Sequence, residues 1–283
     1  TVSASMATAL LAYSGIADTY SLLPLYGLLR PGEARTNARA AAEKALRLDD
    51  ALAEAHSSMW MLYFYLDWDF DKADREFARA LELNPRYATT YQWSALCEGV
   101  RGRSAEAKSK LRRAIELEPL MPILTHNLAW VQMWEHNWEG ALATAKTGLE
   151  FAPEFPWLNQ SVGLSLLALD RADEAIPLLR RSVDLAASAS FANSYLAYGL
   201  GRSGRTQDAQ AIIDEWLEFQ KWRYVPPTDI AIMYVGLGNN EEAIAWLQRG
   251  FEERDVWMTF LSVLPFWDPL RGDPRFVSIL KRV

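Results

Sequence analysis

The sequence predicts an all-α solenoid of stacked helix pairs. An alanine returns at a near-constant interval, further small residues keep two fixed offsets from it, and prolines keep a third. Ala38, Ala73, Ala107, Ala141, Ala175, Ala209 and Ala243 are separated first by 35 residues and then by 34 at every step. A fixed period of roughly 20–50 residues marks a repeat architecture, in which each unit buries its apolar face on its neighbours. The small residue marks where the second helix of a pair presses on the first. A bulky side chain there would force the backbones apart, at a cost of ~1–3 kcal/mol.

Twelve residues before the alanine stand Ala95, Ala129, Gly163, Ala197 and Ala231, and Ala17 takes the matching place in the first unit. Seven residues after it stand Ala45, Ala80, Ala114, Gly148 and Ser182. Pro85, Pro119 and Pro153 follow it by twelve. Proline ends the second helix, because it lacks the N–H that would continue the ladder and disfavours helix in the residue before it. Together these positions resemble the tetratricopeptide repeat (TPR) family over nearly the whole chain. The resemblance implies a right-handed superhelical solenoid of about seven TPR helix pairs, with the first helix of each pair lining a concave face.

In the first unit Tyr13, Ile16, Ala17 and Tyr20 fall at helical spacing and predict a helix over about 4–23. Pro24 to Gly32 read as an insertion, and the next helix ends near Leu48. Unit two, about Leu52 to Pro85, puts Trp60 where a small residue is usual, which predicts a widened pair or a ring turned outward. The units over 87–119 and 120–153 are the most regular, while unit five closes on Ala186–Ser190 without a proline. Unit six carries Trp216 at a small position, with a second helix running on to Trp222, and Pro226 and Pro227 open unit seven. The array is expected over 1–255 and C-terminal capping helices over 256–283. Val256–Leu264 reads as a short helix, and Asp268-Pro269 and Asp273-Pro274 as acidic caps followed by proline at the first helical position. The last helix is expected to cover the apolar end of the stack.

The run from Pro265 to Phe276 (PFWDPLRGDPRF), together with Tyr63 to Phe70 (YFYLDWDF), resembles TPR domains at the C-terminal end of bacterial signalling proteins. In those proteins the array follows a winged-helix, Ser/Thr kinase or nucleotide cyclase domain. The resemblance implies a regulatory or sensing module and carries over no catalytic residue.

A net charge of −7 argues against phosphate-backbone contacts, which need clustered Lys and Arg, and favours basic or neutral partners. Cys97 is the single cysteine, so no internal disulfide forms. No apolar run reaches the ~18 residues of a spanning helix. The chain opens on Thr1 without a basic-then-apolar leader and reads as a piece of a longer protein. The compartment stays open: cytoplasmic, or periplasmic if a membrane segment lies upstream.

Along each first helix, residues at 100° steps divide into an arc facing the second helix and an opposite arc. In the TPR geometry that opposite arc is the concave one. It carries Gln92 with Trp93 alongside in unit three, and His126, Trp130, Met133 and Trp134 with Asn127 in unit four. It continues with Trp157 and Gln160 in unit five and Tyr198 with Tyr195 in unit six. Large apolar patches mark binding surfaces, and Trp and Tyr dominate interface energetics. The same rings could equally pack on one another and fill the superhelix. The leading reading is a non-catalytic module that binds a peptide or protein partner in this aromatic groove. A small-molecule sensor using the same groove, and a dimerising or spacer arm, are the alternatives.

Other motifs resolve to structure. Asp67, Asp69 and Asp71 are spaced like the start of a calcium loop, but Lys72 and Ala78 stand where that loop needs glycine and glutamate. A turn with Asp71 near a helix N-cap is the better reading. His56, His126 and His136 have no zinc spacing, nothing flanking Cys97 activates its thiol, and no cofactor or nucleophile motif occurs.

Overall fold

The computed structural model describes residues 4–186 and 189–283. Residues 187–188, within the expected exit of unit five, lie outside the described residues. Helices pack in sequence-adjacent pairs: α1 (Ala4–Leu22) on α2 (Pro31–Leu48), α3 (Ala53–Met61) on α4 (Phe70–Leu83), and α5 (Ala88–Val100) on α6 (Ser104–Leu117). Then α7 (Pro122–Trp134) packs on α8 (Trp138–Phe151), α9 (Pro156–Ala168) on α10 (Ala172–Ala186), α11 (Ser190–Arg202) on α12 (Thr206–Phe219), and α13 (Pro227–Gly236) on α14 (Asn240–Glu253). First helices also stack on one another, α5 on α7, α7 on α9 and α11 on α13. No strand occurs among the described residues.

The periodic small residues do what their size allows. All seven alanines of the 34-residue series are fully buried. The second helices α4, α6 and α8 stop at Leu83, Leu117 and Phe151, two residues short of the periodic prolines. Asn137 and Asn239 cap α8 and α14 by accepting from the N–H of Gly140 and Glu242. At α4 the cap is Asp69, which accepts from Lys72 N, and Asp71 stands in the first turn, near the N-cap as the sequence suggested.

The two tryptophans at small positions are both accommodated inward. Trp60 is buried, stacked on Phe64 at 4.7 Å and on Trp93 at 6.0 Å. The helix gives way just beyond it to a π-helical turn, Leu62–Asp67. Burying an indole among rings outweighs turning it into water, so the outward reading fails. Trp216 is buried with Ile213, Ile230 and Met233. The helix carrying it ends at Phe219, short of Trp222, which is 82% exposed.

The ends of the stack meet. Phe251 of α14 packs against Trp68 at 5.8 Å, the Arg254 guanidinium lies over the same indole, and Arg254 donates to the Asp67 carbonyl at 3.1 Å. Arg30, just before α2, pairs with Glu253 at 3.5 Å.

Beyond α14 the chain departs from expectation. Val256–Phe260 and Pro265–Leu270 are 3₁₀ turns rather than α-helix. Instead of lying on the end of the stack, this segment runs back across the face made by the first helices. Trp257 Nε1 donates to the Leu25 carbonyl at 3.2 Å, and Ser262 Oγ to the Val100 carbonyl at 3.2 Å. The last helix, α15 (Pro274–Leu280), packs on α14, which both 3₁₀ turns also touch. Asp273 caps α15, whereas Asp268 lies inside a 3₁₀ turn and accepts from Arg271 Nε at 2.7 Å.

Candidate functional site

The residues of the predicted arc converge on one inner face, and the chain itself covers most of it. Phe260 stands 5.4 Å from Trp130 and 5.9 Å from Trp134, and Trp257 stands 6.1 Å from Trp157. The insertion contributes Tyr26, edge-on to Trp157 and Phe191, which are themselves stacked at 3.8 Å. Gln92, His126, Asn127, Met133, Gln160 and Tyr195 are all buried, and Trp93 and Tyr198 half-buried. Of the two readings the sequence left, an open aromatic groove and rings packed on one another, these contacts match the second over most of the face. Its rings find partners on the returning segment, because burial of apolar area is indifferent to whose residues cover it.

His126 shows how deep this face lies. Its Nδ1 is 2.9 Å from Ser161 Oγ, which donates its own proton to the Trp157 carbonyl at 2.9 Å. Ser161 therefore accepts here, and Nδ1 carries the hydrogen. Burial pushes the imidazole pKa down to about 3, so the ring is neutral across the physiological range. Gln160 is fully buried with both amide atoms unpartnered.

Two spaces remain. The larger, about 360 Å³, is half open. It is lined by Trp130, Met133 and Trp134 of α7, Leu164 and Leu167 of α9, Tyr198 of α11 and Phe266 of the returning segment. Trp138, at the first position of α8, closes one edge, and Asp170, Arg202 and Asp268 stand at the rim. Asp268 is engaged by Arg271 and, at 3.6 Å, by His136. The smaller space, about 60 Å³, touches Gln92, Trp93, His126, Asn127, Trp130 and Trp157. Gln160 and Tyr195 line neither.

Trp138, Arg202 and Phe266 were not anticipated. Trp138 belongs to a second helix, outside the arc considered, and nothing local places Phe266 opposite Tyr198. Their large apolar or cationic side chains at helix ends were the available signal. Elsewhere, burial pushes the Cys97 thiol up to about 12, and no group of three His, Cys, Asp or Glu among the described residues could hold a metal ion. No helix among the described residues is long and apolar enough to cross a membrane.

No family model and no curated protein matches the sequence. Among solved structures the chain is similar to PilF of Pseudomonas aeruginosa, at 19% identity and a TM-score of 0.51 over 74% of this chain and 93% of that one. It is also similar to TTC0263, a thermophilic TPR protein of Thermus thermophilus, at 19% identity and a TM-score of 0.55 over 65% of this chain and 98% of that one. A chain of the APC/C hetero-tetramer Cut9–Hcn1 matches 94% of this chain at 14% identity and a TM-score of 0.63, and this chain spans 48% of that one. At such identities the likeness is one of fold: the chain has the all-α TPR solenoid architecture.

Proposed function

We propose that the chain is a non-catalytic protein-interaction module that receives a bulky apolar side chain of a partner peptide in the half-open pocket. One observation carries this reading. Where the returning segment leaves the inner face uncovered, a cavity of about 360 Å³ stays accessible between side chains that are themselves mostly buried, within the range of ~300–1,000 Å³ common for ligand sites. Trp130, Met133, Trp134 and Tyr198 supply rings and a thioether, with Trp138 beside them. The net charge of −7 favours a neutral or basic partner. The resemblance of residues 63–70 and 265–276 supports a place as the regulatory part of a larger bacterial signalling protein.

Selection from a displayed library of random peptides tests the proposal. Recovered peptides should share one bulky apolar anchor, and Trp138→Ala should weaken them at least tenfold without lowering the melting temperature by more than a degree or two. Binders indifferent to Trp138→Ala, or lost only on changes to the outer helices, would overturn it. A dimerising or spacer arm would instead give concentration-dependent mass and no selected peptide.

A further inference from the structure

The smaller space points to a different ligand. It is half open and lined by parts far apart in sequence: Gln92 of α5 and Asn127 of α7, Leu25 and Tyr26 of the insertion, and Trp257 and Phe260 of the returning segment. Gln92 and Asn127 are each only 3% exposed, and Asn127 Nδ2 has no hydrogen-bond partner in the chain. An unsatisfied buried amide is destabilising, so one that borders a cavity calls for something polar inside it.

We propose that this cavity binds a small, planar, uncharged group that presents both a hydrogen-bond donor and an acceptor, of which a primary carboxamide is the simplest. Three features set the class. The rings of Tyr26, Trp130, Trp157 and Trp257 make flat walls. No Asp, Glu, Lys or Arg lines the space, and His126 is neutral, so an ion would lose its water and gain no counter-charge. The carboxamides of Gln92 and Asn127 each offer a donor and an acceptor, which a carboxamide answers with one of each. The volume, about 60 Å³, is well below the ~150 Å³ that takes a benzene, and limits the entering group to the size of acetamide. Because the walls come from the array, the insertion and the returning segment, an occupant ties all three together. Binding therefore stabilises the folded chain by mass action.

The test compares three probes of nearly one shape on the intact chain: acetamide, acetate at pH 7.5, and acetone. Acetamide should raise the melting temperature in a saturable way and appear beside Asn127 in a soaked crystal. Acetone, which only accepts, should bind at least tenfold more weakly, and acetate not at all. Asn127→Leu, close in shape but apolar, should remove the acetamide response. Its melting temperature without probe shows whether it folds, and the wild-type comparison stands without it. Equal entry of acetate, or ordered water alone in every soak, would overturn the proposal. Peptide binding at the outer pocket, read through Trp138→Ala, is measured separately and does not depend on this result.

Discussion

Three carboxylates raised by burial, Asp18, Asp229 and Asp255, shape the response to pH, and Asp229 is held well above the usual carboxylate range. Burial raises the Asp18 carboxyl to about 6, against a lowering by its hydrogen bond from Ser58. Burial likewise raises Asp255 to about 6, opposed by hydrogen bonds from Thr228 and the Trp257 N–H. Each folded pKa lies above the unfolded value near 3.8. The folded state therefore holds the extra proton, and both groups destabilise it fully above pH 6. That cost is relieved as the pH falls from 6 towards 4. Urea unfolding should show higher stability at pH 5.5 than at pH 7.5. Asp18→Asn should reduce this dependence and add up to about 3 kcal/mol at pH 7.5, the order set by a carboxyl raised from 3.8 to about 6. His126, neutral and bonded to Ser161, should keep constant imidazole resonances from pH 5 to 8 in an NMR titration.

At the level of helices, close approach is the governing constraint. Ala141 is fully buried where α8 meets α7, so Ala141→Leu should cost ~1–3 kcal/mol in urea unfolding, as overpacking does. A second contact is tighter still. A Cβ on Gly236 would lie 2.5 Å from Tyr198 Cα, and one on Gly201 would lie 2.5 Å from the Gly236 carbonyl carbon. The backbones of α11 and α13 thus touch, and Gly236→Ala must push them apart. It should cost at least as much as the Ala141 change and displace Tyr198 from the pocket wall, whereas Gly272→Ala, with open space around it, should be nearly neutral. The 34-residue series did not reveal this contact. Gly201 and Gly236 fall outside its three small positions, and their meeting depends on how one pair stacks on the next.

For the whole molecule, the returning segment and the contact between the two ends turn an open solenoid into a closed body. Trp257, Phe260 and Phe266 are all buried, and they meet rings of units two, four, five and six. Removing residues 256–283 should expose Trp130 and Trp157, raise the binding of a hydrophobic dye, and lower the melting temperature by well over 10 °C. A truncated chain that melts like the whole one would show that the segment is dispensable to the core. The contacts of Arg254 and Phe251 with Asp67 and Trp68 also restrain any change of curvature along the array. A sensing mechanism based on a freely flexing superhelix is therefore disfavoured.

The helix pairs, their 34-residue spacing and the inward direction of Gln92, His126, Trp130, Trp134 and Trp157 were legible in the sequence. Each depends on contacts within a repeat or between neighbours, and a 3.6-residue period is enough to say which side of a helix a residue faces. That period cannot say what lies opposite. Whether the aromatic arc meets water, a partner or its own chain was decided by contacts such as that of Trp257 with Leu25, which are 232 residues apart. Hydrophobic burial has no direction and no preference between a partner's ring and the chain's own. Only the tertiary structure could show the inner face mostly covered, with a pocket left at its edge and a small, mainly apolar cavity bordered by Gln92 and Asn127.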